Sequence, residues 1–207
     1  MAVEGGIDVP STLGSRSTHA LTRIGGLEGR QLRAGDVLAI GEASRPDNSG
    51  GPAGGSAIPA ASRGAHVPAL LAGGARLRVM AGPQDDLFEP EALAVLERTR
   101  FAITPQSNRM GYRLSGGVPL RRVDEAEMIS DATFTGALQV PPSGDPILLL
   151  SDRQTTGGYP QIAIVITADL PLAAQLAPGD WVEFERCTRD DALAALQAQE
   201  ARPGVFD

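Results

Sequence analysis

Short segments with the apolar spacing of β-strands fill the second half of the chain. Residues 76–82 alternate arginine with apolar side chains, whereas 148–150 and 162–166 are continuously apolar, as in strands that are buried on both faces or line a barrel. Turns rich in Gly, Pro and Asp separate the segments. Besides 76–82, the pattern predicts strands at 101–104, 109–114, 137–140, 146–151, 161–167 and 181–186.

Two segments have a helical pattern instead. Residues 89–98 begin with acidic residues and a proline and keep two leucines on one face. Residues 190–201 follow Thr188, which is placed as an N-cap, with Asp191 in the capping-box position. Two short helices among about eight strands predict a mainly β fold, either a barrel or a sandwich.

Composition divides the chain into three parts. Residues 1–41 are dense in turns and end at 32–41 in a turn that feeds a short predicted strand. Residues 42–75 are rich in Gly, Ala, Ser and Pro and lack apolar periodicity, which predicts a linker. The chain starts abruptly, with no strand before its first turn. We therefore expect 1–41 to be a partial N-terminal lobe that precedes a β-barrel domain at 76–207.

The charge balance narrows the classes of partner. The 207 residues carry 18 basic and 25 acidic side chains, for a net charge of −7. Such a surface repels phosphate backbones and anionic lipids, so neither nucleic acid nor a membrane is an expected partner. All 18 basic residues are arginine. The lack of lysine excludes Schiff-base chemistry, a phosphate-loop lysine and biotin attachment, and favours bidentate recognition of planar anions.

Cysteine and histidine usage excludes further classes. The single cysteine, Cys187, permits no internal disulfide, and His19 and His66 are too far apart for a metal-ligand pattern. No stretch approaches the ~18 apolar residues of a membrane span. We therefore expect a reduced, cytoplasmic protein that binds no metal. Without a Ser/His/Asp set or a Cys/His pair, nucleophilic and metal-assisted hydrolysis by this chain alone are disfavoured.

Three polar segments carry the candidate chemistry. In residues 13–18, Arg16 is flanked by hydroxyls and a glycine, which offer donors to one anion. In residues 104–113, a run of Gln, Ser, Asn and Arg offers the donors and acceptors that an amide or ureido group requires. In residues 151–160, a Thr-Thr-Gly-Gly run joins the two most apolar strands and lets backbone N–H groups approach a ligand.

Each polar segment also has a purely structural interpretation. Residues 13–18 fit a capped surface turn, and residues 151–160 fit a turn with a flexible glycine pair. Residues 104–113 fit a polar hairpin in which Asn108 satisfies its own turn and Tyr112 packs in the core. The residue pattern alone leaves both interpretations open.

Five ordered motifs resemble the biotin-dependent carboxyltransferase family, which includes KipA, allophanate hydrolase subunit 2, the C component of 5-oxoprolinase and the carboxyltransferase part of urea carboxylase. The motifs are GGIDVP at 5–10 with GSRST at 14–18, GGLEGR at 25–30, GPQDD at 82–86, QSNRMGYR at 106–113 and DRQTTGGYP at 152–160. The resemblance covers nearly the whole chain. In the family a further N-terminal segment precedes the first motif, so the resemblance also implies a shortened first lobe.

The resemblance implies a cyclophilin-like β-barrel and a reactive cleft shared with a KipI-like subunit; a LamB/YcsF-like subunit is a further expected partner. It implies chemistry on a small amide or urea-type substrate. That chemistry is either ATP-dependent opening of 5-oxoproline or transfer of CO2 from carboxybiotin on a separate carrier. ATP is then expected at the level of the complex, and no metal is expected.

Site roles follow from combining the resemblance with the polar loops. Arg109 and Arg153 are expected to be catalytic, as clamps on a carboxylate or carbonyl. Amide-reading side chains, a backbone cradle and an aromatic wall complete the site. The expected substrate-binding residues are Arg16, Gln106, Ser107, Asn108, Tyr112, Gln154, Thr155, Thr156, Gly157, Gly158 and Tyr159.

A regulatory module is the alternative function, in which a KipA-like chain sequesters a KipI-like inhibitor and performs no chemistry. Oxoproline-dependent ATP hydrolysis by the complex distinguishes the two hypotheses. A first lobe that lacks strands leaves unpaired backbone near Val3 and Val37. We therefore expect the isolated chain not to be a well-behaved monomer.

Overall fold

The computed structural model of the chain describes residues 3, 5–42, 70–124 and 128–201. Contacts within the chain divide it into two units, Met1–Ser56 and Ala57–Asp207. Most of the predicted linker, residues 43–69, lies outside the described residues.

Turns and isolated bridges make up the described part of the first unit. Ile7 forms an antiparallel bridge with Ile40, and no strand or α-helix occurs in residues 3 and 5–42. The strand predicted within 32–41 is therefore wrong. Gly5 and Gly6 have left-handed φ angles of 82° and 69°, so the chain turns away and the pairing ends after one bridge.

An ion pair fixes the turn that precedes this bridge. Arg30 donates from both terminal nitrogens to Asp36, at 2.8 and 2.9 Å. These bonds, together with a hydrogen bond from the Arg33 backbone, lower the pKa of Asp36 well below its usual range. The turn is thus held by charge, because the unit has few buried side chains to hold it.

The second unit is a closed barrel of seven strands, in the order β1-β8-β5-β6-β3-β2-β9, beside a two-stranded ribbon, β4-β7. This arrangement confirms the predicted mainly β barrel. The strands are β1 (Gly74–Ala81), β2 (Phe101–Ile103), β3 (Gly111–Ser115), β4 (Asp131–Ala132), β5 (Ala137–Gln139), β6 (Ile147–Leu149), β7 (Thr156–Gly157), β8 (Gln161–Val165) and β9 (Trp181–Arg186).

Pairing between β1 and β9 closes the barrel. The two strands run parallel, from Gly74 opposite Trp181 to Val79 opposite Arg186, while β1 also pairs with β8 in the antiparallel sense. A Cβ on Gly74 would collide with the Trp181 carbonyl oxygen. Only glycine therefore permits the close approach of the two backbones at this end of the seam.

Alternation along the strands separates core from surface. In β1, Leu77 and Val79 point into the barrel, where they are buried, and Arg76 is exposed on the other face. The rings of Phe101 and Phe184 pack at 5.8 Å between centroids in the same core. The period-2 pattern of the sequence thus predicts correctly which side chains of β1 are buried.

Three α-helices occur in the described residues, one more than the two helices predicted: α1 (Ala92–Arg98), α2 (Leu170–Ala173) and α3 (Arg189–Glu200). α1 begins at Ala92 and not at Glu89; the preceding residues form a turn in which the Ala92 N–H donates to the Glu89 carbonyl. The α3 capping box is confirmed, with Thr188 and Asp191 bonded in both directions. No helix in the described parts of the chain is long and apolar enough to cross a membrane.

A buried ion pair ties the segment before α2 to the barrel wall. Asp169 is 7% exposed and accepts from the Arg78 backbone N–H at 2.8 Å and from its guanidinium at 2.6 and 3.0 Å. The same carboxylate raises the pKa of Arg78, mainly through the side-chain hydrogen bonds. The segment 167–173 is therefore anchored to β1 by charge as well as by packing.

We expect Asp169→Asn to lower the free energy of unfolding by about 2 kcal/mol, because it leaves the half-buried Arg78 cation without its carboxylate. Urea unfolding at neutral pH measures the loss. Glu97→Gln, which breaks the exposed Glu97–Arg186 pair, is the control and should cost less than about 1 kcal/mol. Equal losses in the two variants would contradict the role of burial.

Acid should loosen the first turn of α3. Hydrogen bonds from Thr188 lower the pKa of Asp191, so its stabilising effect is complete above the ordinary carboxyl pKa of about 3.9 and is lost as the pH falls through the lower, folded value. NMR shifts of α3 amides between about pH 6 and about pH 2 should show this titration. The titration should vanish in Asp191→Asn and persist in Asp190→Asn; persistence in both variants would contradict the assignment.

Candidate functional site

The structure brings two of the three predicted polar segments together. β3 and β6 are neighbours, with Gly111 opposite Leu149, so the turn before β3 meets the loop after β6. Arg109 and Asp152 form an ion pair at 2.7 Å, and the Asp152 N–H donates to the Arg109 carbonyl at 3.1 Å. Residues 104–113 and 151–160 therefore form one continuous surface.

The turn before β3 is an internally bonded hairpin. Asn108 and Gly111 exchange two backbone hydrogen bonds, and the Asn108 side-chain oxygen accepts from the Met110 N–H at 2.8 Å. The Ser107 hydroxyl accepts from the Arg113 N–H at 3.0 Å. Part of the structural interpretation thus holds, because Asn108 does satisfy its own turn. Its side-chain NH2 group has no partner among the described residues.

Tyr112 is buried, unlike Asn108 and Arg109, although all three line one cavity. Tyr112 points into the barrel and donates to the Leu176 carbonyl at 2.6 Å. Burial, with a smaller effect from the charge of Asp180, raises its pKa above the usual value. Gln106 is exposed at the tip of the turn.

The loop after β6 is held by side chains that come from other strands. Arg153 donates from Nε to the Thr133 carbonyl at 3.3 Å, and the Thr133 hydroxyl donates to the Gln154 carbonyl. Gln154 donates from its side chain to Gln139 Oε1 at 3.1 Å. Thr156–Gly157 forms strand β7, which pairs with β4. The Thr-Thr-Gly-Gly run is thus built into a ribbon.

A small polar cavity lies where the hairpin and the loop meet on the outside of the barrel. Its volume is about 160 Å3, equal to the liquid volume of about five water molecules. Four side chains with amide or guanidinium groups and one tyrosine surround it. The lining residues are Asn108, Met110, Gly111, Arg113, Gln139, Ile147, Leu149, Gln154 and Tyr159.

Two polar side chains of the polar cavity, those of Arg113 and Gln139, were not among the predicted site residues. Arg113 follows an inward-facing tyrosine on β3 and therefore points outward, and Gln139 is register-paired with Ile147 on the same outer face. The alternation of β3 already indicated the direction of Arg113. Nothing in the local sequence of Gln139 indicated its position, because that depends on how the loop folds back over β5.

The two predicted catalytic arginines lie beside larger and more apolar cavities. Arg109 is 81% exposed and lines a cavity of about 690 Å3, and Arg153 lines another of about 590 Å3. Leu196 of α3 contributes to both. The structure therefore separates these arginines from Gln154 and Tyr159, which line the polar cavity, whereas Asn108 lines both the polar cavity and the cavity beside Arg109.

The remaining predicted residues are distributed as follows. Arg16 belongs to the first unit, where it lies 3.9 Å from Asp8, and the neighbouring Ser15 hydroxyl accepts from the Ser17 N–H. Thr155 accepts through its carbonyl from the Thr133 N–H. Gly158 is exposed at the end of the ribbon.

The chemistry available to the described residues is that of binding and orientation. The polar cavity presents guanidinium and amide donors together with amide acceptors, which suit a planar group with both N–H and C=O. No group of three or more His, Cys, Asp and Glu side chains in the described ranges is placed to hold a metal ion. Burial raises the pKa of the Cys187 thiol, which keeps it protonated and unreactive.

Comparison with known proteins gives sequence and structure matches over most of the chain. Residues 1–186 match the family model for the carboxyltransferase domain, subdomain A and B. The chain is 40% identical to the C component of 5-oxoprolinase from Escherichia coli K12 over 97% of its length, and 33% identical to the urea amidolyase of Lachancea kluyveri over the same share. The crystal structure of the K. lactis urea amidolyase matches 95% of the chain with a TM-score of 0.69 and 28% identity.

The chain spans only part of each of these relatives. It covers 59% of the E. coli protein, 11% of the L. kluyveri enzyme and 12% of the K. lactis chain. The family match nevertheless includes both polar segments and the whole barrel up to the end of β9. On this evidence, the chain belongs to the carboxyltransferase domain family, subdomains A and B.

Proposed function

We propose that the chain acts in a 5-oxoprolinase complex, as the subunit that binds the small cyclic amide 5-oxoproline. The observation that carries the proposal is the polar cavity, in a chain 40% identical to a 5-oxoprolinase subunit. 5-Oxoproline carries one carboxylate beside a planar amide. The cavity offers a guanidinium beside amide side chains, in a volume of about 160 Å3 that fits a small molecule.

Arg113 is the proposed partner of the substrate carboxylate. Its guanidinium lines the polar cavity and forms no ion pair with any described residue. Arg109, by contrast, already pairs with Asp152. Asn108 and Gln154 would then read the substrate amide through the side-chain atoms that the turn and Gln139 leave unbonded.

The remaining predicted roles belong to the rim of the same site. Tyr159 walls the polar cavity. Arg109 and Arg153 would bind anionic groups from the side of α3, where their cavities lie. Thr155, Thr156, Gly157 and Gly158 would supply backbone donors along the ribbon edge.

ATP does not fit the polar cavity. The sequence contains no lysine, and the polar cavity is far too small for a nucleotide, so we assign ATP to a partner subunit. Carboxybiotin presents a ureido group, which the unbonded donor of Asn108 and acceptor of Gln154 suit. When bound, it would supply an activated carboxyl group, and these side chains would orient the acceptor.

A KipI-like subunit is the proposed partner, with a LamB/YcsF-like subunit as a further member of the complex, in the cytoplasm. The first unit supports a partner because several of its large apolar side chains are exposed, among them Leu13 at 99% and Val37 at 88%. Apolar surface of this kind is typical of interfaces.

Carboxyl transfer to a urea-type nitrogen is the second candidate function. The specific observation in its favour is the match to urea amidolyases, both in sequence and in structure. The same polar cavity would serve, because urea is also a small planar molecule with N–H and C=O groups.

The decisive experiment is reconstitution of the full chain with a KipI-like and a LamB/YcsF-like subunit. We expect ATP hydrolysis that depends on 5-oxoproline and on all subunits, with urea inert; mixtures that omit the chain are the control. Carboxylation of urea from carboxybiotin would replace the first candidate with the second. A stable complex without either activity would favour the regulatory module and overturn both enzymatic proposals.

Within that complex, we expect Arg113→Ala to raise the KM for 5-oxoproline about tenfold to a hundredfold, because a charge-assisted contact to the carboxylate is lost. Steady-state kinetics at saturating ATP measure the change. Arg98→Ala, which removes an exposed arginine at the end of α1, is the matched control. An unchanged KM in Arg113→Ala together with inactivity of Arg153→Ala would place the substrate against α3 and not in the polar cavity.

A further inference from the structure

We propose that Gln139 is a positioning residue: it fixes the loop between β6 and β8 in the shape that forms the polar cavity. The loop carries Gln154 and Tyr159, which both line that cavity. Gln139 belongs to none of the three polar segments singled out in the sequence. The inference rests on the proposed function in one respect, namely that the polar cavity binds the substrate.

Burial of Gln139 outside the barrel is the first observation. Its β5 neighbour Leu138 points into the core, so Gln139 points to the outer face, where an exposed polar residue would be usual. Gln139 is nevertheless 1% exposed. The cover comes from the β6–β8 loop, which folds back over β5 and is bonded to the Gln139 side chain.

Both ends of the Gln139 amide are used by this loop. Its Oε1 accepts from Gln154 Nε2 at 3.1 Å, and its Nε2 donates to the Tyr159 carbonyl at 3.2 Å. The two partners lie five residues apart on the loop. One side chain thus bridges the beginning and the end of the segment, and an apolar residue of the same size would leave both partners unpaired.

A β-bulge places a second buried glutamine beside the first. The register shifts between Leu138 and Gln139, so that Gln139 lies opposite Gln161. Directly opposed residues point to the same face, which brings Gln161 to the outer side as well. Gln161 donates to the Ala132 carbonyl at 2.8 Å. The two glutamines therefore support both strands of the β4–β7 ribbon, one from the loop side and one from the β4 side.

Gly157 shows how closely the loop is fitted to Gln139. A Cβ at this position would lie 2.5 Å from Gln139 Nε2 and 3.2 Å from Thr133 Cγ2. A methyl group here must displace the glutamine amide and with it the bond to Tyr159. The lack of a side chain at Gly157 thus allows Gln139 to form its hydrogen bond with the loop.

The test combines hydrogen exchange on the full chain with kinetics of the reconstituted complex. Gln139→Met keeps the size of the side chain and removes both hydrogen bonds. We expect amides 154–159 to exchange about tenfold faster while the barrel strands are unchanged. In the complex, the KM should rise about tenfold with kcat within about twofold, because substrate binding is weakened and the chemical step is not. Gln197→Leu, on the exposed side of α3, is the matched control.

A double substitution tests the contact itself. Gly157→Ala alone should accelerate exchange of amides 154–159, whereas in a Gln139→Ala background it should add little, because the atom it collides with is gone. Additive effects would overturn the proposed contact. Unchanged exchange in Gln139→Met would overturn the positioning role of Gln139. Faster exchange throughout the barrel, together with a lower kcat and the same KM, would overturn it as well. The exchange results test the role of Gln139 even if the wild-type complex is inactive. Inactivity of the wild-type complex would contradict only the proposed function.

Discussion

Closure of the barrel through β1 and β9 is the constraint on which the rest of the second unit depends. β1 is bonded on both sides, so the seven strands have no free edge and their registers are fixed relative to one another. Gly74 permits the backbone contact at one end of this seam. Because β3 and β6 are held in one register, the loops beyond them meet at Arg109 and Asp152. The site is thus a consequence of strand pairing.

Polar side chains, and not apolar ones, attach the functional loop to this rigid frame. Gln139 and Gln161 are both 1% exposed on the outer face of the barrel. Gln84 extends the same arrangement: its side chain donates to Asp131 at 3.0 Å and accepts from the Gln161 N–H at 3.1 Å. The ribbon is therefore joined to the barrel by amide hydrogen bonds, whose directionality fixes the position of the ribbon on the barrel. Apolar packing alone would allow the ribbon to shift.

The sequence was sufficient where a local pattern encodes the structure. Alternation located β1, continuous apolar runs located β6 and β8, and the spacing of Thr188 and Asp191 located the start of α3. The strands β4 and β7 have two residues each, too few for any period to be visible. α2 was missed because the apolar run of β8 continues toward it, although Pro171 in its first turn was an available signal. The strand predicted around Val37 did not form, because in the antiparallel register of the Ile7–Ile40 bridge the residue opposite Val37 is Pro10, which has no N–H to donate.

The candidate site was predictable as segments but not as a set of side chains. The motifs placed Asn108, Gln154 and Tyr159 correctly near one another, since their loops follow adjacent strands. Which arginine faces the polar cavity depends on side-chain direction. On β3 that direction alternates, so Arg113 points outward while Tyr112 enters the core. The resemblance and the polar loops had favoured Arg109 and Arg153, which pair with Asp152 and the Thr133 carbonyl and line cavities on the side of α3.

The two buried glutamines do not contribute equally to holding the loop. Both polar atoms of the Gln139 side chain are bonded to the loop, whereas Gln161 Oε1 has no hydrogen-bond partner within the described residues. A buried acceptor without a partner costs free energy, so the Gln161 side of the ribbon is held less favourably than the Gln139 side. The hydrogen bond from the Gln161 N–H to the Gln84 side-chain oxygen stabilises β8 but does not involve the loop. The shape of the polar cavity therefore depends chiefly on one amide, although two are buried beneath it.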